Sequence, residues 1–158
     1  MFTGDRSGDW LFGALHRVGL AALPTSTQVG DGQRLEHVRI TAAVHCAPPD
    51  NKPTTAERHE CASWLDLEVG LVEPTVRCML ALGGIAWSAL LAAVRDGGWA
   101  VERVPFGHGA STQASSPSGR PVLLLASYHP SQQNTFTGRL TEPMLDDVLV
   151  RARTAAGL

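Results

Sequence analysis

The run Leu123-Leu124-Leu125-Ala126-Ser127-Tyr128-His129-Pro130-Ser131 delivers a histidine just beyond an apolar strand, with a proline to fix the turn and a hydroxyl beside it. An imidazole held at a strand end can donate a hydrogen bond to an oxygen that becomes negative as a bond breaks, which is electrostatic stabilisation of a leaving group. A turn histidine bonded to nearby backbone is the competing reading, and the local pattern divides evenly between the two. The residues that follow, from Gln132 to Arg139, combine amides and hydroxyls with Phe136 and one cation, and include no carboxylate. That composition, with Ser131 and Asn134 in it, suits contact with a phosphate backbone. A solvated loop would explain it equally well if it did not stand directly after His129.

Other reactive side chains are more scattered. Cys46 and Cys61 have 14 residues between them and bracket the proline-rich stretch Ala47-Pro48-Pro49-Asp50-Asn51-Lys52-Pro53. Two thiolates do not complete a metal site, because tetrahedral zinc and iron-sulfur clusters take about four protein ligands. His45 or His59 would have to join them if this chain closed such a site alone. Cys78, inside an apolar run, reads as a small core residue. His108 is flanked by Gly107 and Gly109, which let backbone approach a partner closely, although a flexible loop is the default for such a stretch. Phe2 could stack on a flat base or pack as an ordinary terminal aromatic. Trp10, Trp64, Trp87 and Trp99 read most simply as core.

The elements that must carry these residues follow from periodicity. Residues 7–20 place Trp10, Leu11, Ala14, Leu15 and Val18 at helical spacing, with Ser7 or Asp9 available as a cap. A loop through residue 33 precedes a strand expected over 37–44. The prolines exclude regular structure next. Thr54 or Thr55 then caps a helix with Cys61, Leu65, Val69 and Val72 on one face. Residues 76–83 read as a strand, 86–94 as a helix closed by Gly97-Gly98, and 99–104 as a weak strand. A loop is expected over 107–119, a wholly apolar strand over 121–126 and a loop over 129–138. A last helix follows, with Thr141 as cap, Pro143 in its first turn and Leu145, Val148, Leu149 and Ala152 inward.

Strands alternating with helices imply an α/β three-layer sandwich, with a mainly parallel sheet of about four strands and helices on both faces. Ligands of such sheets bind at the carboxyl ends of the strands, which is where His129, His108 and the Cys46 loop fall. With 158 residues, 44% of them apolar, the chain fits one domain spanning 1–158. No run approaches the roughly 20 apolar residues of a membrane span, and the first residues lack a signal-peptide pattern. A cytoplasmic protein with no membrane partner is expected. A net charge of -2 argues against a blanket electrostatic grip on nucleic acid, so any such contact must be local.

Taken in order, several of these segments resemble the uracil-DNA glycosylase superfamily, most closely its iron-sulfur type 5 branch. The resemblance covers nearly the whole chain. It rests on Phe2-Thr3-Gly4-Asp5-Arg6-Ser7-Gly8-Asp9, on Ile40-Thr41-Ala42-Ala43-Val44-His45-Cys46-Ala47-Pro48-Pro49-Asp50-Asn51-Lys52-Pro53 with Cys61, and on Ala81-Leu82-Gly83-Gly84. It also rests on His108-Gly109 and on His129-Pro130-Ser131-Gln132-Gln133-Asn134 with Thr137-Gly138-Arg139-Leu140-Thr141. Each piece alone is weak, and the ordered set is strong.

The resemblance implies a DNA-repair hydrolase of base excision repair that flips uracil from single- or double-stranded DNA and hydrolyses its N-glycosidic bond, with other deaminated bases as further substrates. His129 would steady the departing uracil anion, Phe2 would stack on the base, and Ser131 with the following loop would grip phosphates and enter the groove. Cys46 and Cys61 would be two of four ligands to a structural 4Fe-4S cluster, in a monomeric protein. The family's first cysteine pair, its first strand and the glycine-rich loop that positions water are not in this sequence. Ala42 stands where sibling branches read uracil with an asparagine, leaving Asn51 as a nearby polar candidate. An internal methionine of a longer active protein is therefore one expectation for Met1. A truncated, inactive DNA-binding remnant is the alternative, and an unrelated nucleotide-binding α/β protein is a distant third.

Overall fold

Asp5, rather than Ser7 or Asp9, starts the first helix, α1 (Arg6–Arg17). From an extended backbone its carboxylate accepts the Gly8 N–H at 2.7 Å, satisfying one of the donors that a first turn leaves open. The computed structural model that shows this describes residues 3–45 and 53–158. Phe2, Cys46, Asn51 and the Pro48-Pro49 stretch, all singled out in the sequence, lie outside the described residues.

The strand expected over 37–44 forms no ladder. His37 adopts φ 60, a left-handed conformation for a side-chain-bearing residue, and the following segment runs along the second helix, α2 (Thr55–Val72), instead of along a strand. Arg39 donates two hydrogen bonds to Glu68 at 2.5 and 2.7 Å, and the His45 ring stacks on Trp64 with centroids 5.9 Å apart. Val38 and Ile40 pack against a core shared with α1. An extended segment becomes a strand only where an edge offers hydrogen bonds at its spacing, and here side chains hold the segment in place of a ladder. As expected, α2 opens at Thr54, which forms a reciprocal capping box with Glu57.

The sheet contains β1 (Cys78–Leu82), β2 (Ala100–Val101), β3 (Ser111–Ser115) and β4 (Pro121–Ser127), in the order β1-β4-β3-β2. It is mixed, which corrects the mainly parallel expectation. Only β1 and β4 run parallel, while β4, β3 and β2 are joined antiparallel. The cause is a strand hidden in the segment read as a loop. Ser111–Ser115 is polar and mostly exposed, so it lacks an apolar signature, yet it pairs with β4 across a tight turn. That turn is closed by Ser116 N–H to the Arg120 carbonyl and relieved by Gly119 at φ 81.

Helices cover both faces. On one side α2 and α3 (Gly84–Asp96) pack with Trp87, Trp99, Ala81, Val122, Leu124 and Ala126. On the other, α1 and α5 (Glu142–Ala156) enclose Leu11, Leu15, Leu140, Leu145 and Leu149 with Leu80 and Leu82. Neighbouring β1 residues thus point to opposite cores, as a pleated strand requires. Arg17 joins the two outer helices through paired hydrogen bonds to Asp146, each 2.8 Å. Trp87 and Trp99 are core, as read, whereas Trp64 is exposed on α2 and Trp10 is half-buried. The short α4 (Gln132–Phe136) lies within the expected 129–138 loop.

Leu124 is fully buried at the centre of the sheet. Leu124→Ala is expected to cost about 2–5 kcal/mol of unfolding free energy, measured by urea denaturation. Val29→Ala, at a fully exposed loop site, should change stability by no more than about 0.5 kcal/mol.

Candidate functional site

The parallel pair places Leu82 beside Ser127, so the chain leaves β1 and β4 at the same end of the sheet. From β1 it turns through Gly83 and Gly84 into α3. From β4 it passes through Tyr128 into His129. The two exits touch: a Cβ built on Gly83 would lie 3.2 Å from the His129 Cβ, and Gly83 has φ 96, which L side chains rarely adopt. Glycine at 83 is therefore required twice, by its backbone and by the histidine against it. Gly84 similarly makes room for the Phe106 ring, which lies edge-on to Tyr128 at 6.1 Å.

His129 is half-buried. Burial pushes its pKa below the ordinary histidine value, and the negative charge of Asp5 works in the opposite direction. The ring is thus held neutral at neutral pH and carries a single ring N–H. Its backbone is braced as well: the Asn134 side-chain amide donates to the His129 carbonyl at 2.9 Å, and Pro130 behind it is fully buried. Asn134 was expected to reach a substrate, and in the structure its Nδ2 holds the turn that presents His129. Ser131 caps α4 with its carbonyl, which accepts from Asn134 and Thr135, while its side chain makes no capping hydrogen bond.

Asp5 is the residue that reading the sequence for chemistry missed. It looked like one charge among three ahead of a helix. Its position as the N-cap of α1 brings its negative charge to bear on His129, and only the packing of α1 with α5 and the end of β1 could reveal that. Two cations border the same region. The Arg6 guanidinium lies 4.9 Å over the exposed Phe136 ring, and that of Arg139 lies 4.6 Å over Tyr128. Such stacking holds a positive charge in place while leaving its edge open to an anion. A chain with net charge -2 thus presents local positive charge beside its histidine.

The cysteines separate. Burial pushes the Cys78 thiol up to about 11, with the Arg151 charge opposing, so it stays protonated at the start of β1 as a packing residue. Cys61 is buried on α2, one turn before Leu65. Trp64, three residues along the same helix, carries the stacked His45, which immediately precedes Cys46 in the sequence. His45 thus lies against the same stretch of α2 that carries Cys61. Among the described residues no group of three or more His, Cys, Asp or Glu gathers as a metal site. No helix among them is long and apolar enough to cross a membrane.

The sequence profile of the uracil DNA glycosylase superfamily matches residues 1–152. A type-5 uracil-DNA glycosylase of Mycobacterium bovis is 51% identical over 158 residues, covering 100% of this chain and 57% of that protein. Proteins of the same description from Thermus thermophilus and Pyrobaculum aerophilum are 51% and 43% identical over 157 residues. In both cases 99% of this chain is covered, with 68% and 64% of the relatives. The chain thus spans a little over half the length of the mycobacterial relative.

Asp5→Asn tests the electrostatic link between the two sides of the site. Asparagine is as good a helix cap as aspartate, so α1 should persist. Removing the negative charge should move the His129 titration midpoint to still lower pH, as followed by the ring resonances in an NMR titration. An unmoved midpoint would show that Asp5 does not act on this imidazole.

Proposed function

The chain belongs to the uracil DNA glycosylase superfamily, and from that membership we propose that it removes uracil from DNA by hydrolysing the N-glycosidic bond. The observation that carries this reading is His129: a neutral, half-buried imidazole braced by Asn134 and pressed against Gly83 where two parallel strands end. Hydrolysis at this bond adds water to the sugar carbon, and the base departs with the bonding electron pair. The developing charge gathers on the uracil oxygens, and a fixed donor already in place stabilises it without reorganisation. His129 supplies that donor. Asp5 is a carboxylate on the same side of the sheet, the type of group that can take a proton from attacking water.

The base must leave the helical stack to reach these residues. Phe2 would stack on it, and Asn51 is the polar candidate for reading its edge. Ser131 and the backbone of α4, flanked by Arg6 and Arg139, would hold the phosphates on either side. This is positioning by local contacts, as the low net charge requires. The substrate is DNA in single- or double-stranded form, with other deaminated bases as further targets, and the protein works as a cytoplasmic monomer. A neutral His129 braced by Asn134 at the end of β4 supports an enzyme over an inactive DNA-binding remnant.

A structural 4Fe-4S cluster is the proposed cofactor, with Cys46 and Cys61 as two of its ligands. The support is the burial of Cys61 on α2 and the stacking of His45, next to Cys46, on the same stretch of that helix. A cluster there would cross-link the segment after residue 45 to α2 and take no part in bond cleavage. Cys78 lies on β1 rather than on α2 and is not among the proposed ligands.

Two measurements test these readings, each made with any coding sequence found in frame upstream of Met1 restored. In the first, an oligonucleotide carrying one uracil is incubated with the protein and abasic sites are scored by alkaline cleavage. His129→Ala should slow excision by about a hundredfold or more, with DNA affinity unchanged. Absence of excision by the unaltered protein, despite normal DNA binding, would rule the enzyme reading out. The second measures iron and visible absorbance: Cys61→Ser should lose both and Cys78→Ser should keep both. Equal iron in the two variants would remove Cys61 from the ligand set.

A further inference from the structure

His108 is a histidine with no part in the reading above, yet it touches the same strand end. Beyond Ser127 the ladder between β1 and β4 is finished, so the Tyr128 N–H lies past the sheet's own acceptors. The His108 Nδ1 takes it, at 3.3 Å. Ser127 Oγ, itself fully buried, lies 3.4 Å from the same nitrogen and donates to the Tyr128 carbonyl at 3.0 Å. The His108 and Tyr128 rings are 5.3 Å apart and tilted. The His108 ring thus meets both the peptide group entering Tyr128 and the side chain of that residue.

An acceptor facing a backbone N–H must carry a lone pair. His108 is therefore the Nε2–H tautomer, and its remaining N–H is the one that can meet the backbone of Met144 at the start of α5. The loop bearing it is tightly held. Gly109 N–H donates to the Ala126 carbonyl at 2.8 Å, Ala126 N–H donates to the Ala110 carbonyl at 2.9 Å, and Arg151 donates to the Gly109 carbonyl at 3.1 Å. Gly109 has φ 74, and a Cβ there would meet Arg151 Nη1 at 3.3 Å. The ring therefore bridges the end of β4 to α5 from a fixed base.

We propose that His108 is a positioning residue for His129: by holding the Tyr128 N–H and ring, it sets the direction in which the chain leaves β4 and so aims the imidazole one residue further on. This rests on the assignment of leaving-group stabilisation to His129. Burial favours the neutral ring that the geometry demands. Among the groups facing it from α5, the Met144 backbone and the Asp147 charge act to raise its pKa and the Arg151 charge acts to lower it, with burial prevailing. Ser127 at the end of β4 and Tyr128 just beyond it are its neighbours on the strand side. Because the folded pKa is lowered, the bond to Tyr128 is kept through neutral pH. It is lost as the pH falls below the ordinary histidine value and Nδ1 gains a proton.

The test compares His108→Leu, which keeps bulk and removes the acceptor, with His108→Asn, whose side-chain oxygen can stand near the position of Nδ1. Excision of uracil from the same oligonucleotide should show kcat lowered about ten- to a hundredfold in the leucine variant, the scale of a small misplacement of a reacting group. KM should stay within about twofold, and the asparagine variant should recover most of the loss. In parallel, nitrogen-15 NMR should find the Nε2–H tautomer in the unaltered protein. The Tyr128 amide resonance should shift in the leucine variant and return towards its original place in the asparagine variant. Equal activity in all three proteins, equal impairment of both variants, or an Nδ1–H tautomer would each overturn the proposal. His129→Ala in the same assay separates the two ideas. If that variant keeps full activity while the Tyr128 amide still depends on residue 108, the role given to His129 fails and the hold on the strand end stands.

Discussion

Parallel pairing of β1 with β4 is the constraint on which the rest of this molecule depends. Two strands that run the same way end on the same side, so the register that sets Leu82 against Ser127 also sets Gly83 against His129. A parallel pair cannot be joined by a tight turn and needs a long crossover. Here the crossover contains α3, β2 and β3, and these return the chain to the sheet beside β4. The loop between β2 and β3 therefore ends at the same mouth, bringing Phe106 and His108 against Tyr128. The helices then fill both faces and leave this mouth as the place where polar side chains from distant parts of the sequence can meet.

Legibility in the sequence followed signal strength. An apolar run such as Leu123-Leu124-Leu125-Ala126 announces a buried strand, and the helices around Leu11, Leu65, Leu90 and Leu145 announce themselves by spacing, because burial imposes a period. Ser111–Ser115 carries no such mark. It sits beyond β4 with most of its side chains in solvent, and its strand character comes from backbone hydrogen bonds to β4. The opposite error occurred over 37–44, where β-branched and alternating residues suggested a strand. Backbone propensity is satisfied only by a neighbouring edge, and among the described residues this segment is tied to α2 by Arg39 and His45 instead.

The site divided along similar lines. His129 could be found because a histidine and a proline right after an apolar strand form a local pattern. The partner roles could not be found. Asn134 looked like a ligand contact, and only the closure of α4 back onto the turn makes its amide the brace of the His129 carbonyl. Asp5 stood in the sequence only as part of the segment ahead of the first helix, and it caps that helix with its charge acting on the histidine. A side chain's type limits what it can do, and long-range packing decides which of those roles it takes.

The electrostatics of the mouth follow from the same geometry. Two imidazoles stand near one strand end, His129 just past it and His108 against the peptide before it. Burial keeps each below its ordinary pKa. The arginines instead carry the positive charge, and a guanidinium does not lose its proton at any relevant pH. Arg6 and Arg139 lie over aromatic faces at the rim, while the neutral donors sit deeper. The result is a gradation from permanent positive charge outside to neutral imidazoles inside, of which His129 would, in the proposed reaction, face an oxygen that becomes negative only while a bond is breaking. A uniformly cationic pocket would bind any anion, whereas under the proposed reaction a neutral inner imidazole would favour the charge that develops as the bond breaks.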